Sequence, residues 1–571
     1  MYPIIVHDLF YLHQSMKRII LWMAFLLMVG LPIKAQNEQD HNFEVVKNLE
    51  IFNALYRQLD MLYVDTLEAD KMVGAGIKAM LQRLDPYTVY YPKASELKSF
   101  LTGKYGGIGA LIRYHMKEKT TVIDEPMGDT PAQEAGLRKG DIILSIDDTT
   151  MVGKGIEYVR EHLRGEPGST FALKIRRPST NKVMQMKITR RSLSATPTIP
   201  YYGMQGDGIG YICLTQFTEG CAQEVRRAFL DLKKQGIQKL VLDLRNNGGG
   251  SELEAAHLVN IFVPRGITVA SNRGKLRRAN HDYQTTVEPI DTVIPLVVLV
   301  NEESASASEI TSGALQDLDR AVIVGTRTYG KGLVQLPVDL PHNAQLKVTT
   351  SRYYIPSGRC IQAINYKQGE GVYQEHIPDS LTKVFHTANG REVRDGGGIT
   401  PDLVVKPDSL PNIAYYLGVS GKDSTETMFE YEVDYLASHP NIGPVSSFEI
   451  TDADYENFKK RAIANGFTYD PESDRAVKAL KKIMEFEGYY EEAKPEFEAL
   501  EKKLQHDLSH DLDLHKETLK RMISSDIVAA YYYQRGTVEY NLKHDKQMAA
   551  ARDLLNDLSR YKQLLEPKSI K

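Results

Sequence analysis

Two strand–loop–helix units with loops of very small residues constrain this chain most. The first reads KLVLDLRNNGGGSELEAAHLVNIF. Leu240 to Leu244 is an apolar run of strand length, Asn246 to Gly250 is a loop, and Glu252 to Phe262 reads as a helix. The second reads VIPLVVLVNEESASASEITSGALQDLDRAVIVG. Val293 to Val300 is a strand interrupted by Pro295, Ser304 to Ser308 opens a helix, and Ala321 to Gly325 is the next strand. Apolar runs without polar alternation are strands buried on both faces. Alternating with helices, they predict an α/β core.

Both loops sit where backbone N–H groups face outward at a helix start, which suits an anion or an oxyanion. A nucleotide phosphate loop is disfavoured, because the G-x-x-x-x-G-K-[ST] spacing is missing. A tight turn with no ligand is the other reading of Asn246 to Gly250. For Ser304, Ser306 and Ser308 two readings also stand. One is an exposed hydroxyl at a spacious helix start. The other is a simple helix cap, with Glu309 completing a capping box. Lys331 lies between Gly330 and Gly332 after an apolar strand. A lysine packed there loses water, its pKa falls, and the amine becomes able to take a proton from a serine. Gln335, four residues on, is placed to orient that amine.

At 571 residues, three to five domains are expected at roughly 100–200 residues each. Residues 42–100 read as helix, with Phe43, Val46, Leu49, Ile51, Leu55, Leu59 and Leu62 at three- and four-residue steps and a second helix from Lys71 to Leu84. Short strands and glycine turns follow from Tyr105 to Arg191, then the α/β region to 408, then a charged, tyrosine-rich helical region, 409–571. That last region is expected to pack on the core or form a dimer contact, without a catalytic residue. A net charge of −4 asks for no nucleic-acid partner. Cys213, Cys221 and Cys360 are too few for a disulfide scaffold and show no zinc spacing.

The N-terminus reads as an export signal. Lys17 and Arg18 precede the apolar run Ile19 to Ile33, which is short for a membrane span, and Ala35 offers a cleavage point. An uncleaved anchor is the alternative. The expected destination is the periplasm of a Gram-negative bacterium.

Between 105 and 191, Gly106-Gly107-Ile108-Gly109 leads into Ala110-Leu111-Ile112, and TPAQEAGLRKGDIILSIDD follows. This order resembles a PDZ domain in its circularly permuted bacterial form. The resemblance implies that Gly107, Ile108 and Gly109 receive a peptide's terminal carboxylate, with the chain end added as a strand. The loop reads Gly-Ile-Gly-Ala where many PDZ domains carry a large apolar fourth residue.

SASASEI followed by YGKGLVQ resembles the carboxy-terminal processing (tail-specific) peptidases. LDPYT at 84–88, LKVTTSRYYIPSGRCIQ at 346–362 and DGGGITPDLVV at 395–405 extend the match. The resemblance implies Ser306 as nucleophile, 25 residues before the general base Lys331, with Gln335 assisting. It implies an oxyanion hole from the N–H groups of Gly249 and Ala307, although many members have proline where Gly248 stands. It also implies a ClpP/crotonase-like core carrying the inserted PDZ domain, between helical N- and C-terminal regions. PDZ domains of this family gate the site, which makes Arg164 a candidate contact between module and core. No cofactor or metal is needed. Expected partners are proteins or peptides with apolar C-termini, with a homodimer and an adaptor protein left open. The expected boundaries are 1–35 signal, 36–104 N-terminal helices, 105–191 PDZ, 192–408 peptidase core and 409–571 C-terminal helices. The rival reading is a non-catalytic peptide-binding protein on a degenerate peptidase core.

Overall fold

The computed structural model describes residues 32–94, 97, 104–194, 196–362, 378–419, 422–504 and 507–567. The apolar run expected as an export signal lies outside these residues up to position 31. The chain forms two units, residues 1–82 and 83–571. In the first, helices run Pro32–Leu62 and Ala69–Leu81. Phe43, Val46, Leu49 and Leu55, the residues whose spacing predicts an amphipathic helix, are exposed.

The second unit begins with a departure from the expected helix. Val89–Tyr91 is a strand, paired antiparallel with Ala344–Tyr354. Pro86 disfavours helical backbone at Asp85, and the Asp85 carboxylate instead accepts the N–H groups of Tyr87 and Thr88, both at 2.8 Å. The segment Val-Tyr-Tyr that follows is β-branched and aromatic, which favours a strand.

The core is a sheet of six strands among the described residues. Its order is Tyr202–Met204, Ile209–Cys213, Lys239–Asp243, Leu296–Val300, Val322–Gly325, Leu403–Val404. The first pair is antiparallel and the rest are parallel, with Leu240 opposite Leu296 and Val297 opposite Val322. Alternate residues of these strands therefore serve two separate cores. On one face Leu240, Leu242, Leu296 and Val298 pack with the helices Cys221–Lys234, Glu252–Val259 and Ala307–Asp317. On the other, Val241, Val297, Leu299, Val322 and Val324 pack with Met548, Leu554, Leu555 and Tyr561 from the last helices, Lys546–Asn556 and Leu558–Leu564. The C-terminal region thus packs on the core, as its amphipathic pattern predicts. A second sheet carries Thr268–Gly274, His281–Gln284, Leu333–Leu340 and Ala344–Tyr354 beside Val89–Tyr91.

The glycine-rich module is a sheet of Ala110–His115, Thr120–Pro126, Ile142–Ile146, Thr170–Arg177 and Lys182–Thr189, with Thr149–Thr150 beside the third. A short helix begins at Pro131, and a second runs Ile156–Leu163. Lys104–Gly107 pairs with Arg191–Ser194, closing the module's entry against its exit. The helical region grips the module. Lys139 is buried 3.0 Å from Glu432, and Arg113 and Lys139 lie over the Phe429 ring. Val122 and Ile142 pack on the same phenylalanine.

Candidate active site

The helix Ala307–Asp317 is buried along its whole length, and the residue before it, Ser306, has φ 56° and ψ −114°. That is a costly region for a residue with a side chain, at about 1–3 kcal/mol. It sets Ser306 apart from its neighbours. The Ser304 hydroxyl donates to the Leu244 carbonyl and the Ser308 hydroxyl to the Asn247 carbonyl, both at 2.8 Å. Those two serines fasten the helix start to the end of the Lys239–Asp243 strand and its loop. Ser306 is left at the junction, 9% exposed.

Gly249 and Ala307 meet there. Gly249 has φ 96°, and a Cβ on it would lie 2.7 Å from Ser306 Cβ and 2.9 Å from Ala307 N. Only glycine allows this approach of the two loops. Gly249→Ala is therefore expected to displace the serine loop and cut kcat at least tenfold with native far-UV circular dichroism retained. Full activity in that variant would rule out the close approach. The Gly249 N–H donates to Asn247 Oδ1 at 2.9 Å, and Asn247 is fully buried. One of the two expected oxyanion donors is thus engaged within its own loop.

Lys331 follows Gly330, which has φ 86°. Gly332 packs so closely on Gln362 that a Cβ would meet its backbone nitrogen at 2.8 Å. Burial is the main cause that lowers the Lys331 amine below its ordinary value, assisted by Lys347 and opposed by Glu309, Glu252 and Asp85. Gln335 donates its side-chain amide to Thr349 Oγ1 at 3.1 Å.

Two residues that the motif reading did not assign to the site hold the serine and lysine loops together. Glu309 is fully buried. One carboxylate oxygen accepts the N–H groups of Ser306 and Lys331, both at 2.9 Å, and the other accepts the Gly330 N–H and the Thr328 hydroxyl. Burial pushes its pKa up to about 7 against the pull of these four hydrogen bonds. The acidic half of the expected capping box forms, but the same carboxylate also reaches 22 residues along the chain. Tyr353 completes the frame, its hydroxyl within 3.3 Å of the Ser306 carbonyl and hydrogen-bonded to the Lys331 carbonyl. The signal for Glu309 was a carboxylate among the small and apolar residues of SASASEITSGAL. For Tyr353 the sequence offers only its place in a strand.

In the module, three carbonyls of the glycine loop are committed. Gly106 O accepts from Gly165 N, Ile108 O from Ala132 N, and Gly109 O from Met127 N and the Thr130 hydroxyl. These bonds fix Gly107, Ile108 and Gly109 beside the strand Ala110–His115. Arg164 is exposed and stacks its guanidinium 5.0 Å from the Tyr105 ring centroid, within the module itself.

Three family models match this chain. Peptidase family S41 covers residues 208–371, a PDZ domain covers 122–177, and a helical domain found at the C-terminus of PDZ-proteases covers 413–555. The chain is 33% identical over 377 residues to a carboxy-terminal-processing protease of Bartonella bacilliformis, covering 65% of this chain and 84% of the relative. It is 31% identical to the carboxy-terminal processing protease CtpB of Bacillus subtilis, over 58% of this chain and 68% of that one. A carboxyl-terminal-processing protease of Picosynechococcus is 35% identical over 51% of this chain and 71% of the relative.

Proposed function

Because the chain belongs to peptidase family S41, among the carboxy-terminal-processing serine proteases, we propose that it is an exported endopeptidase that binds protein C-terminal tails through its PDZ domain and cleaves with a Ser306–Lys331 dyad. The observation that carries the reading is the frame around Glu309, which ties the backbone of a strained serine to that of a half-buried lysine with a lowered pKa. The domain limits follow as 1–35 signal, 36–104 N-terminal helices, 105–191 PDZ, 192–408 peptidase core and 409–571 C-terminal helices.

A substrate tail places its carboxylate at Gly107, Ile108 and Gly109 and extends beside Ala110–His115. Neutral Lys331 takes the Ser306 hydroxyl proton as the oxygen attacks the scissile carbonyl. The Ala307 N–H, at the first position of a helix, faces the developing oxyanion together with that of Gly249. For the second donor to serve, its bond to Asn247 Oδ1 is shared or exchanged as charge develops. Lysine then returns the proton to the leaving amine, and water releases the acyl group. Gln335, whose side-chain amide donates to Thr349 Oγ1, orients the Lys331 amine. The lysine needs no histidine or metal for these steps. Export to the periplasm matches a function on extracytoplasmic proteins.

The test uses an unfolded protein ending in an apolar tail, with the same tail as a carboxamide, and intact mass as the readout. The free carboxylate is expected to raise kcat/KM by about 10–100-fold, the worth of charge-assisted hydrogen bonds of about 1.5–3 kcal/mol. Equal rates for the two tails would remove the carboxylate from recognition. Binding of both tails with cleavage of neither would favour the non-catalytic reading.

A further inference from the structure

The stretch Leu84-Asp85-Pro86-Tyr87-Thr88 has a part in the site that the mechanism above does not use. Asp85 folds it into a turn, accepting the N–H groups of Tyr87 and Thr88 and the Thr88 hydroxyl, each at 2.8 Å. The strand after it is registered on Ala344–Tyr354, with Val89 opposite Lys347. The turn is therefore fixed at both ends, and it brings the Tyr87 ring against Lys331. The amine nitrogen lies 5.0 Å from the ring centroid. The next residue, Thr88, approaches the same Thr349 hydroxyl that receives the Gln335 amide. One short motif thus reaches the lysine and the threonine that holds the glutamine of the proposed machinery.

We propose that Tyr87 is a positioning residue for the proton-transfer step, its ring seating the Lys331 amine and setting how tightly that amine holds a proton. The proposal rests on the reading of Lys331 as the general base. Its physical ground is the negative face of an aromatic ring, which attracts an ammonium more than a neutral amine. Burial alone weakens the amine's hold on a proton without giving the amine an orientation. A ring beneath the nitrogen gives the protonated form, which exists after serine attack, a fixed place from which to hand its proton on. The other groups around the amine are Lys347, which disfavours the charge, and Glu309, Glu252 and Asp85, which favour it. Tyr353 holds the Lys331 carbonyl, and Tyr329 adjoins Tyr87. Burial pushes the Tyr87 phenol well above its ordinary value, so it stays a neutral hydroxyl.

The sign follows directly. Losing the ring from an apolar seat removes support for the ammonium, so Lys331 releases its proton at lower pH. Tyr87→Phe keeps the ring, and Tyr87→Leu keeps apolar volume without it. In the full chain carrying Ser306→Ala, the proton affinity of Lys331 is read by competitive acetylation with acetic anhydride against pH, followed at the Lys331 peptide by mass. Tyr87→Leu is expected to lower the midpoint by about 0.5–1 pH unit, and Tyr87→Phe to leave it in place. An unchanged midpoint in Tyr87→Leu, or an equal shift in both variants, would overturn the proposal. With Ser306 restored, the acid limb of kcat/KM is expected to move with the labelling midpoint. A midpoint that moves without the limb would keep the seat and remove Lys331 as the base. If Tyr87→Leu fails to fold, Tyr87→Met supplies the ringless form.

Discussion

Replacing Ser306 with alanine is expected to lower kcat by roughly ten-thousandfold or more while tail binding changes less than about twofold. The side chain sits at a junction whose geometry belongs to its neighbours. Ser304 and Ser308 fasten the two loops, Glu309 holds the Ser306 N–H, and Gly249 packs on the Ser306 Cβ. Alanine keeps that Cβ, so the loss reads the hydroxyl and not a collapsed site. Lys331→Ala is expected to match it in kcat, and the double variant to lose little more, because nucleophile and base act as a unit. Lys331→Arg should not rescue, since a guanidinium stays protonated and cannot accept the serine proton. Substrate with an apolar tail, followed by intact mass, reads cleavage, and fluorescence anisotropy of a labelled tail peptide reads binding. Cleavage that survives in both single variants would remove the dyad.

A chain ending at residue 408 is expected to be insoluble or unfolded, with no activity. It would lose the helices that cover Val241, Val297, Leu299, Val322 and Val324 on one face of the central sheet. At about 1.5–3 kcal/mol for each side chain returned to water, that loss rivals the whole stability of a domain, about 5–15 kcal/mol. Polar ties go with it. Arg245, just past the Lys239–Asp243 strand, bonds Asp545 at 2.6 Å and Gln547 at 2.9 Å. Tyr561 Oη meets both the N–H and the carbonyl of Leu296. The single change Leu554→Ala should cost about 2–5 kcal/mol, read by chemical denaturation, with the active-site geometry unaltered. A monomeric, cooperatively folded and active 1–408 fragment would contradict the account.

The apolar strands, the glycine loop and the serine-rich helix start were legible because each is a local pattern. Their meeting point was legible only through the family resemblance, since Gly249 and Ser306 are remote in sequence and touch through backbone. The second role of Glu309 was hidden for a physical reason. A glutamate at the third position of a helix is an ordinary cap, and nothing local says that its carboxylate also reaches Lys331. The strained φ of Ser306 was hidden likewise, because serine at a helix start normally takes extended backbone. Residues 89–91 fell within the span 42–100 read as helical, although Asp85-Pro86 closes the second helix; the segment past that stop is a strand. The run ARDLLNDLSRYKQLL at 551–565 reads as an amphipathic helix, but only the structure names the sheet beneath it. The expected contact of Arg164 with the core came from the family resemblance and its PDZ gating; in the structure its guanidinium lies over the Tyr105 ring.

The layer that seals the central sheet comes from chain well past the strands it covers. Strands from 209 to 404 are complete long before Met548, Leu554 and Tyr561 exist. A growing polypeptide therefore holds its future active site on a sheet with one greasy side bare, in a form that chaperones or partner surfaces must shield. A chain that stops before Lys546 is expected to leave that side bare and the peptidase inert.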